Sequence, residues 1–183
     1  MKLQIFGGKY KRTQINIPDN LGDFRPAKSI VREAICNILQ TKIAGSGVLD
    51  LCAGTCAFSM EMISRGAKRA VAVGQNSALC NHIKKEIKKH SWSESIEILC
   101  ANAVSFVEKC EEKFDIIYFD PPYYENELSA LVSKLSGLCK DGAVIIFEFA
   151  SGDKFVEENY SKYGFRKYGK SSILLISKED LCQ

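Results

Sequence analysis

Between residues 48 and 148, short β-branched and aliphatic runs alternate with helical stretches, and this alternation limits the fold more than any other feature of the chain. Residues 48–51, 70–73, 96–100, 116–119 and 143–148 read as strands, nearly all apolar and therefore suited to burial on both faces. Residues 57–65, 79–90, 104–110 and 127–138 read as the helices between them. Strands that alternate with helices specify an α/β fold with a parallel, doubly wound sheet. At the end, residues 164–168 and 171–177 are strands separated by Gly169 and Lys170 alone, which is hairpin spacing and adds an antiparallel pair at one edge.

One strand stops abruptly. In FDIIYFDPPYY, residues 114–124, Pro121 and Pro122 lack backbone N–H groups and have fixed φ, so they end the ladder and push Asp120 toward extended geometry. Asp120, the carbonyls of Pro121 and Pro122 and the ring of Tyr123 are thereby held at the carboxyl end of a strand, where open α/β sheets place their ligands. The bland alternative is a strand-ending turn. It leaves an exposed aromatic tip without a purpose.

The end of the first core strand carries a second signal. Leu49-Asp50-Leu51-Cys52-Ala53-Gly54-Thr55 puts a carboxylate at a strand end and a glycine turn at the mouth of a helix. The dinucleotide fingerprint G-x-G-x-x-G is missing, because Gly54 is followed by Thr55, Cys56, Ala57, Phe58 and Ser59. An acidic residue before such a turn suits a cationic, amino-bearing ligand such as S-adenosylmethionine.

The amino end differs in character. Residues 1–32 hold seven basic side chains against two acidic ones, so the net charge of +3 leaves the remainder slightly acidic. Residues 3–6 and 13–17 are short β-type runs around Gly7-Gly8-Lys9-Tyr10-Lys11-Arg12, a basic, glycine-loosened hairpin turn. Lys9, Lys11, Arg12, Arg25 and Lys28 are candidates for phosphate contacts; a solvated face is the alternative. The helix that starts near Lys28 or Ser29 carries Val31, Ala34, Ile35, Ile38 and Leu39 on one face, with Arg32 and Glu33 expected on the other. Lys84, Lys85, Lys88 and Lys89 read as a solvated helix face.

A chain of 183 residues with 46% hydrophobic content builds one domain with a small appendage, divided here as 1–45 and 46–183. No run of about 18 apolar residues is present and MKLQIFGGKYKR has no apolar signal core, so a cytoplasmic protein is expected, with no membrane partner. The eight cysteines include no CxxC pair, and with two histidines they do not suggest zinc; reduced core residues are expected. Nothing calls for an oligomer, and a monomer is expected.

The paired motifs at Asp50 and Asp120 resemble motifs I and IV of the Rossmann-like S-adenosylmethionine methyltransferases that modify exocyclic amines of bases. More narrowly, Gly7-Gly8-Lys9-Tyr10, Arg25-Pro26, residues 31–39, Val48-Leu49-Asp50-Leu51, Ser64-Arg65-Gly66-Ala67 and Asp120-Pro121-Pro122-Tyr123 together resemble the bacterial small-subunit (16S) ribosomal RNA guanine-N2 methyltransferase D family, over nearly the whole chain. The resemblance implies a seven-stranded sheet, an RNA-contacting amino-terminal extension, S-adenosylmethionine as cofactor and methylation of one guanine in an assembling or assembled small subunit. It also implies that Asp120–Tyr123 act on the target and that Asp50, Cys52, Ala53, Gly54, Thr55, Gly74, Gln75, Asn102 and Ala103 hold the cofactor.

Several positions depart from that pattern. Cys56 and Ser59 stand where the family carries glycine, Gly74-Gln75-Asn76 where an acidic residue takes the ribose, and Asn102 where an aspartate lies near the adenine, which keeps an acceptor without its charge. A noncatalytic RNA-binding or assembly factor with a decayed cofactor site is therefore one alternative. A DNA adenine N6-methyltransferase is another, although the strands and helices leave no room for a target-recognition segment. A methyltransferase acting on a protein glutamine is a third; that resemblance usually brings Asn in the first motif position.

Overall fold

The computed structural model describes residues 1–21, 29–121, 131 and 134–181. Seven strands form one sheet: β3 (Gly47–Leu51), β4 (Arg69–Gly74), β5 (Ile96–Cys100), β6 (Phe114–Phe119), β7 (Cys139–Ala150), β8 (Phe165–Tyr168) and β9 (Ser171–Ser177). Their spatial order is β5-β4-β3-β6-β7-β9-β8, with every pair from β5 to β7 parallel and both pairs of β9 antiparallel. This is the mostly parallel α/β sheet with an antiparallel carboxyl-terminal hairpin that the strand–helix alternation and the two-residue turn specify.

Both faces of the sheet are covered, which is why its strands read as continuous apolar runs. Val48, Ala70, Ala72, Ile116 and Ile146 face α3 (Ala57–Ser64), α4 (Ser77–Lys89) and α1 (Ser29–Ile38), which the short α2 (Gln40–Ile43) follows. Leu49, Val71, Ile117, Ile145 and Phe147 face α5 (Ala103–Lys109) and the helix Lys154–Tyr160. That last helix starts at Asp153, whose carboxylate accepts from Val156 N–H at 3.1 Å; it has too few apolar positions to stand out from sequence. The helix expected over 127–138 lies mostly outside the described residues. Among the described residues no helix is long and apolar enough to cross a membrane.

At the amino end, β1 (Lys2–Gln4) and β2 (Gln14–Asn16) form a two-stranded antiparallel ribbon. Leu3, Ile5, Ile15 and Ile17 are buried in the same core as Met60 and Ile83. One side chain of α1 corrects the sequence expectation. Arg32 does not point to solvent: it is 3% exposed, donates to the Gln4 carbonyl at 2.8 Å, lies 3.5 Å from Glu61 and covers the Phe6 ring at 5.0 Å. Apolar periodicity gave Arg32 to the outer face because it could not anticipate a buried carboxylate on another helix. Glu61 supplies that carboxylate, fully buried in the middle of α3.

Candidate active site

The first core strand, β3, pairs with the fourth, β6, so the crossovers diverge there and a crevice opens at the carboxyl ends. Asp50 is the register partner of Tyr118, and Tyr118 of Ile146. Two residues further along each chain, on the same face by strand alternation, come Cys52, Asp120 and Glu148. Three carboxyl groups from three neighbouring strands thus converge under α3.

Tyr118 is the residue that ties this group together. Its hydroxyl donates to Glu148 Oε2 at 2.6 Å in the buried interior, and its ring stacks on Phe58 of α3 with centroids 4.2 Å apart. Neither Tyr118 nor Glu148 was singled out from sequence. The available signals were the i, i+2 spacing of Tyr118 from Asp120 and the presence of one acid in the apolar run 143–150.

Asp50 is 1% exposed. Its Oδ2 accepts from the Ser59 N–H at 3.1 Å and the Ser59 hydroxyl at 2.6 Å, while Oδ1 is buried with no partner among the described residues. Burial pushes this carboxyl up to about 7, and the two Ser59 bonds oppose the shift without cancelling it. Asp120 is half-buried and is likewise pushed up to about 7, first by burial and then by the charges of Glu148 and Asp50.

The loop after Asp50 is tightly coiled. Cys52, Gly54 and Cys56 all adopt left-handed backbone, with φ of 61°, 49° and 55°. Cys56 caps α3 in a conformation glycine takes freely, so its side chain carries a strain of roughly 1 kcal/mol. A Cβ placed on Gly54 would meet only the Cys52 carbonyl, at 3.9 Å, so the outer side of the turn is open; Ala53 is half-buried and Thr55 buried behind it.

The neighbouring strand ends complete the rim. Gly74 ends β4 and Gln75 follows, exposed. Asn76, in the stretch that stands where the family has a ribose-binding acid, is already committed: its Oδ1 accepts from Leu79 N–H at 2.9 Å and its Nδ2 donates to the Leu21 carbonyl at 2.9 Å. Of the two, Gln75 remains the candidate for that task. Asn102, expected as an acceptor, uses its Oδ1 to cap α5 by accepting from Ser105 N–H at 3.1 Å, with Ala103 buried beside it, so the amide nitrogen of Asn102 is the group turned elsewhere.

These residues fit the cationic cofactor expected from sequence. A buried, unpartnered carboxylate oxygen and two further acids need a positive partner, and a turn without a Cβ lets one approach the backbone. Asp120 and Pro121 stand at the site; Pro122 and Tyr123 lie outside the described residues.

The basic amino-terminal turn is fixed to the core rather than loose. Glu61 accepts from the N–H groups of Phe6 and Gly7 at 3.0 and 2.8 Å and from Arg65 Nε at 2.9 Å. The Ser64 carbonyl accepts from Lys9 N–H at 2.7 Å, and Ser64 Oγ from Tyr10 N–H at 2.9 Å. Gly8, at φ +74°, passes so close that a Cβ there would lie 1.8 Å from the Ser64 carbonyl oxygen. Lys9, Lys11 and Arg12 are exposed on this docked turn, and Arg25 and Lys28 lie outside the described residues. Further along, His82 Nε2 is 2.7 Å from the Asn16 carbonyl, joining the ribbon to α4.

Comparison with known proteins gives this arrangement a family. The family model described as conserved hypothetical protein 95 matches residues 3–177. The ribosomal RNA small subunit methyltransferase D of Buchnera aphidicola subsp. Baizongia pistaciae is 30% identical over 149 residues, covering 80% of this chain and 75% of that protein. Among solved structures, Escherichia coli yhhF superposes with a TM-score of 0.81 at 22% identity, covering 97% of this chain and 98% of its own. The T. thermophilus 16S rRNA N2 G1207 methyltransferase, solved with AdoMet and guanosine, shares the fold with a TM-score of 0.73 at 20% identity, over 97% of this chain and 49% of its own. The chain therefore belongs to the conserved hypothetical protein 95 family, alongside the ribosomal RNA small subunit methyltransferase D.

Proposed function

We propose that this protein is an S-adenosylmethionine-dependent methyltransferase of small-subunit ribosomal RNA, and that its target is the exocyclic N2 amine of a guanine. The observation that carries the reading is the convergence of Asp50 and Asp120 at the β3–β6 switch point beside an open glycine turn. The family relative supports ribosomal RNA as the substrate class.

S-adenosylmethionine, when bound, supplies a methyl group made electrophilic by its sulfonium sulfur. Asp50, with Cys52, Ala53, Gly54 and Thr55, would hold it on the β3 side, and Gly74, Gln75, Asn102 and Ala103 would line the rim. The guanine N2 lone pair is delocalised into the ring and is a poor nucleophile. Asp120 and the Pro121 carbonyl accept the two amine hydrogens, which turns the lone pair out of conjugation and stabilises the developing positive charge. A carboxyl raised to about 7 then takes the proton from the methylated amine at neutral pH without being too weak a base. Pro122 and Tyr123 extend this motif, Tyr123 as an aromatic against which the base can stack. The base must leave its stack to reach the site, which favours an accessible ribosomal loop.

Lys9, Lys11, Arg12, Arg25 and Lys28 would track the phosphate backbone on either side of the target, inside an assembling or assembled subunit in the cytoplasm, with the enzyme acting as a monomer. Small subunits lacking the modification, incubated with methyl-labelled S-adenosylmethionine and the protein, test this reading. Label on N2 of one guanine is the expected result; label on another base, on DNA or on protein overturns it.

A further inference from the structure

Two thiols flank the Gly74–Gln75 turn. Cys80, in α4, has its sulfur 3.6 Å from the Gly74 carbonyl oxygen; Cys100, the last residue of β5, has its sulfur 3.7 Å from the Gln75 carbonyl oxygen. Gly74 and Cys100 are register partners across the β4–β5 pair. A Cβ on Gly74 would lie 3.5 Å from the Cys80 sulfur, so the glycine gives that thiol room beside the turn, and each of the two thiols lies against one of the turn's two successive carbonyls. Cys100 is exposed and Cys80 buried, the arrangement of an attacking thiol backed by a resolving one.

We infer that Cys80 and Cys100 form an oxidisable dithiol that closes to a disulfide and, in closing, distorts the Gly74–Gln75 turn. With hydrogen peroxide as the oxidant, the Cys100 sulfur attacks one peroxide oxygen; the O–O bond breaks, water leaves, and Cys100 becomes a sulfenic acid. The Cys80 sulfur then attacks the Cys100 sulfur, the S–O bond breaks and a second water carries off the Cys80 proton. Two thiols are oxidised and one peroxide is reduced. Burial holds the Cys80 thiol above its usual range, which keeps it protonated until the sulfenic acid is beside it. Closure draws the sulfurs to about 2.05 Å and removes both S–H donors from the Gly74 and Gln75 carbonyls, at the rim where Gln75 is read as the ribose partner. The regulatory part rests on the methyltransferase reading; the dithiol itself does not.

Wild-type protein and the Cys80→Ser and Cys100→Ser variants are treated with stoichiometric hydrogen peroxide, alkylated, digested and mapped by mass, and S-adenosylmethionine affinity is measured by calorimetry before and after. The expected result is a Cys80–Cys100 linked peptide in wild type only, released by dithiothreitol, with affinity falling roughly tenfold on oxidation and recovering on reduction. Over-oxidised Cys100 with no link to Cys80 overturns the dithiol. A complete link with unchanged affinity overturns the coupling to the rim. Reduced protein that binds no S-adenosylmethionine overturns the methyltransferase reading and the coupling with it, and the peptide map then decides the dithiol alone.

Discussion

Tyr118 and Glu148 join β6 to β7 through a 2.6 Å hydrogen bond, and this bond fixes the carboxylate that, after burial, does most to raise the Asp120 carboxyl. Glu148→Gln keeps an acceptor for the tyrosine but removes the charge. Asp120 then ionises at lower pH. In single-turnover methylation, the acid limb of the wild-type pH–rate profile is expected near 7, and the variant's limb is expected to move down by roughly half a unit to one unit. A limb unmoved in Glu148→Gln shows that the Glu148 charge does not act on Asp120.

Asp120→Asn is expected to abolish methylation, by roughly a thousandfold or more, while leaving S-adenosylmethionine affinity within a few-fold. It is also expected to stabilise the fold. A carboxyl raised to about 7 stays neutral in the folded chain while it ionises in the unfolded chain, so stability falls as pH rises from about 4 to 7 and stays lowered above. Asparagine has no such loss. Thermal unfolding is expected to favour the variant by roughly 1–3 kcal/mol at pH 8 and by little at pH 4.

Gly8→Ala tests the docked turn, because the added methyl collides with the Ser64 carbonyl and cannot be relieved by rotating a side chain. The turn is expected to lift from α3, weakening RNA binding at least tenfold while S-adenosylmethionine still binds. Glu61→Ala acts on the same junction more severely. It strips an acceptor from the N–H groups of Phe6 and Gly7 and a charge partner from Arg32 and Arg65, for a loss of roughly 3–5 kcal/mol in chemical denaturation.

Lys11→Glu and Arg12→Glu probe the surface without touching the core, since both side chains are exposed. Each is expected to weaken RNA binding and reduce the slope of log affinity against log salt by about one. Filter binding over a series of salt concentrations measures both, and an unchanged slope removes these residues from the phosphate contacts.

The sheet was legible because β-branched runs and glycine turns are local signals, and burial on both faces makes them continuous. Asp50 and Asp120 stood out for the same reason: each lies at the carboxyl end of such a run. Glu61, Tyr118 and Glu148 did not, since what matters about them is a partner 30 to 55 residues away. Arg32 shows the same limit from the other side. Helical periodicity placed it outward, and a buried carboxylate on α3 drew it in. Asn76 and Asn102 looked like ligand acceptors by position, while helix caps had prior use of their oxygens.

The pairing of β3 with β6 has a consequence for how the protein comes into being. Gly47 N–H is bonded to Asp115 across 68 residues of chain, so the pairing of the two strands closes a loop of that length. On a growing polypeptide the Asp50 turn emerges long before Asp120, and only a chain grown past residue 120 holds both acids. The two acids thus come together late, and the closing of this long loop is the natural candidate for the slowest step of folding.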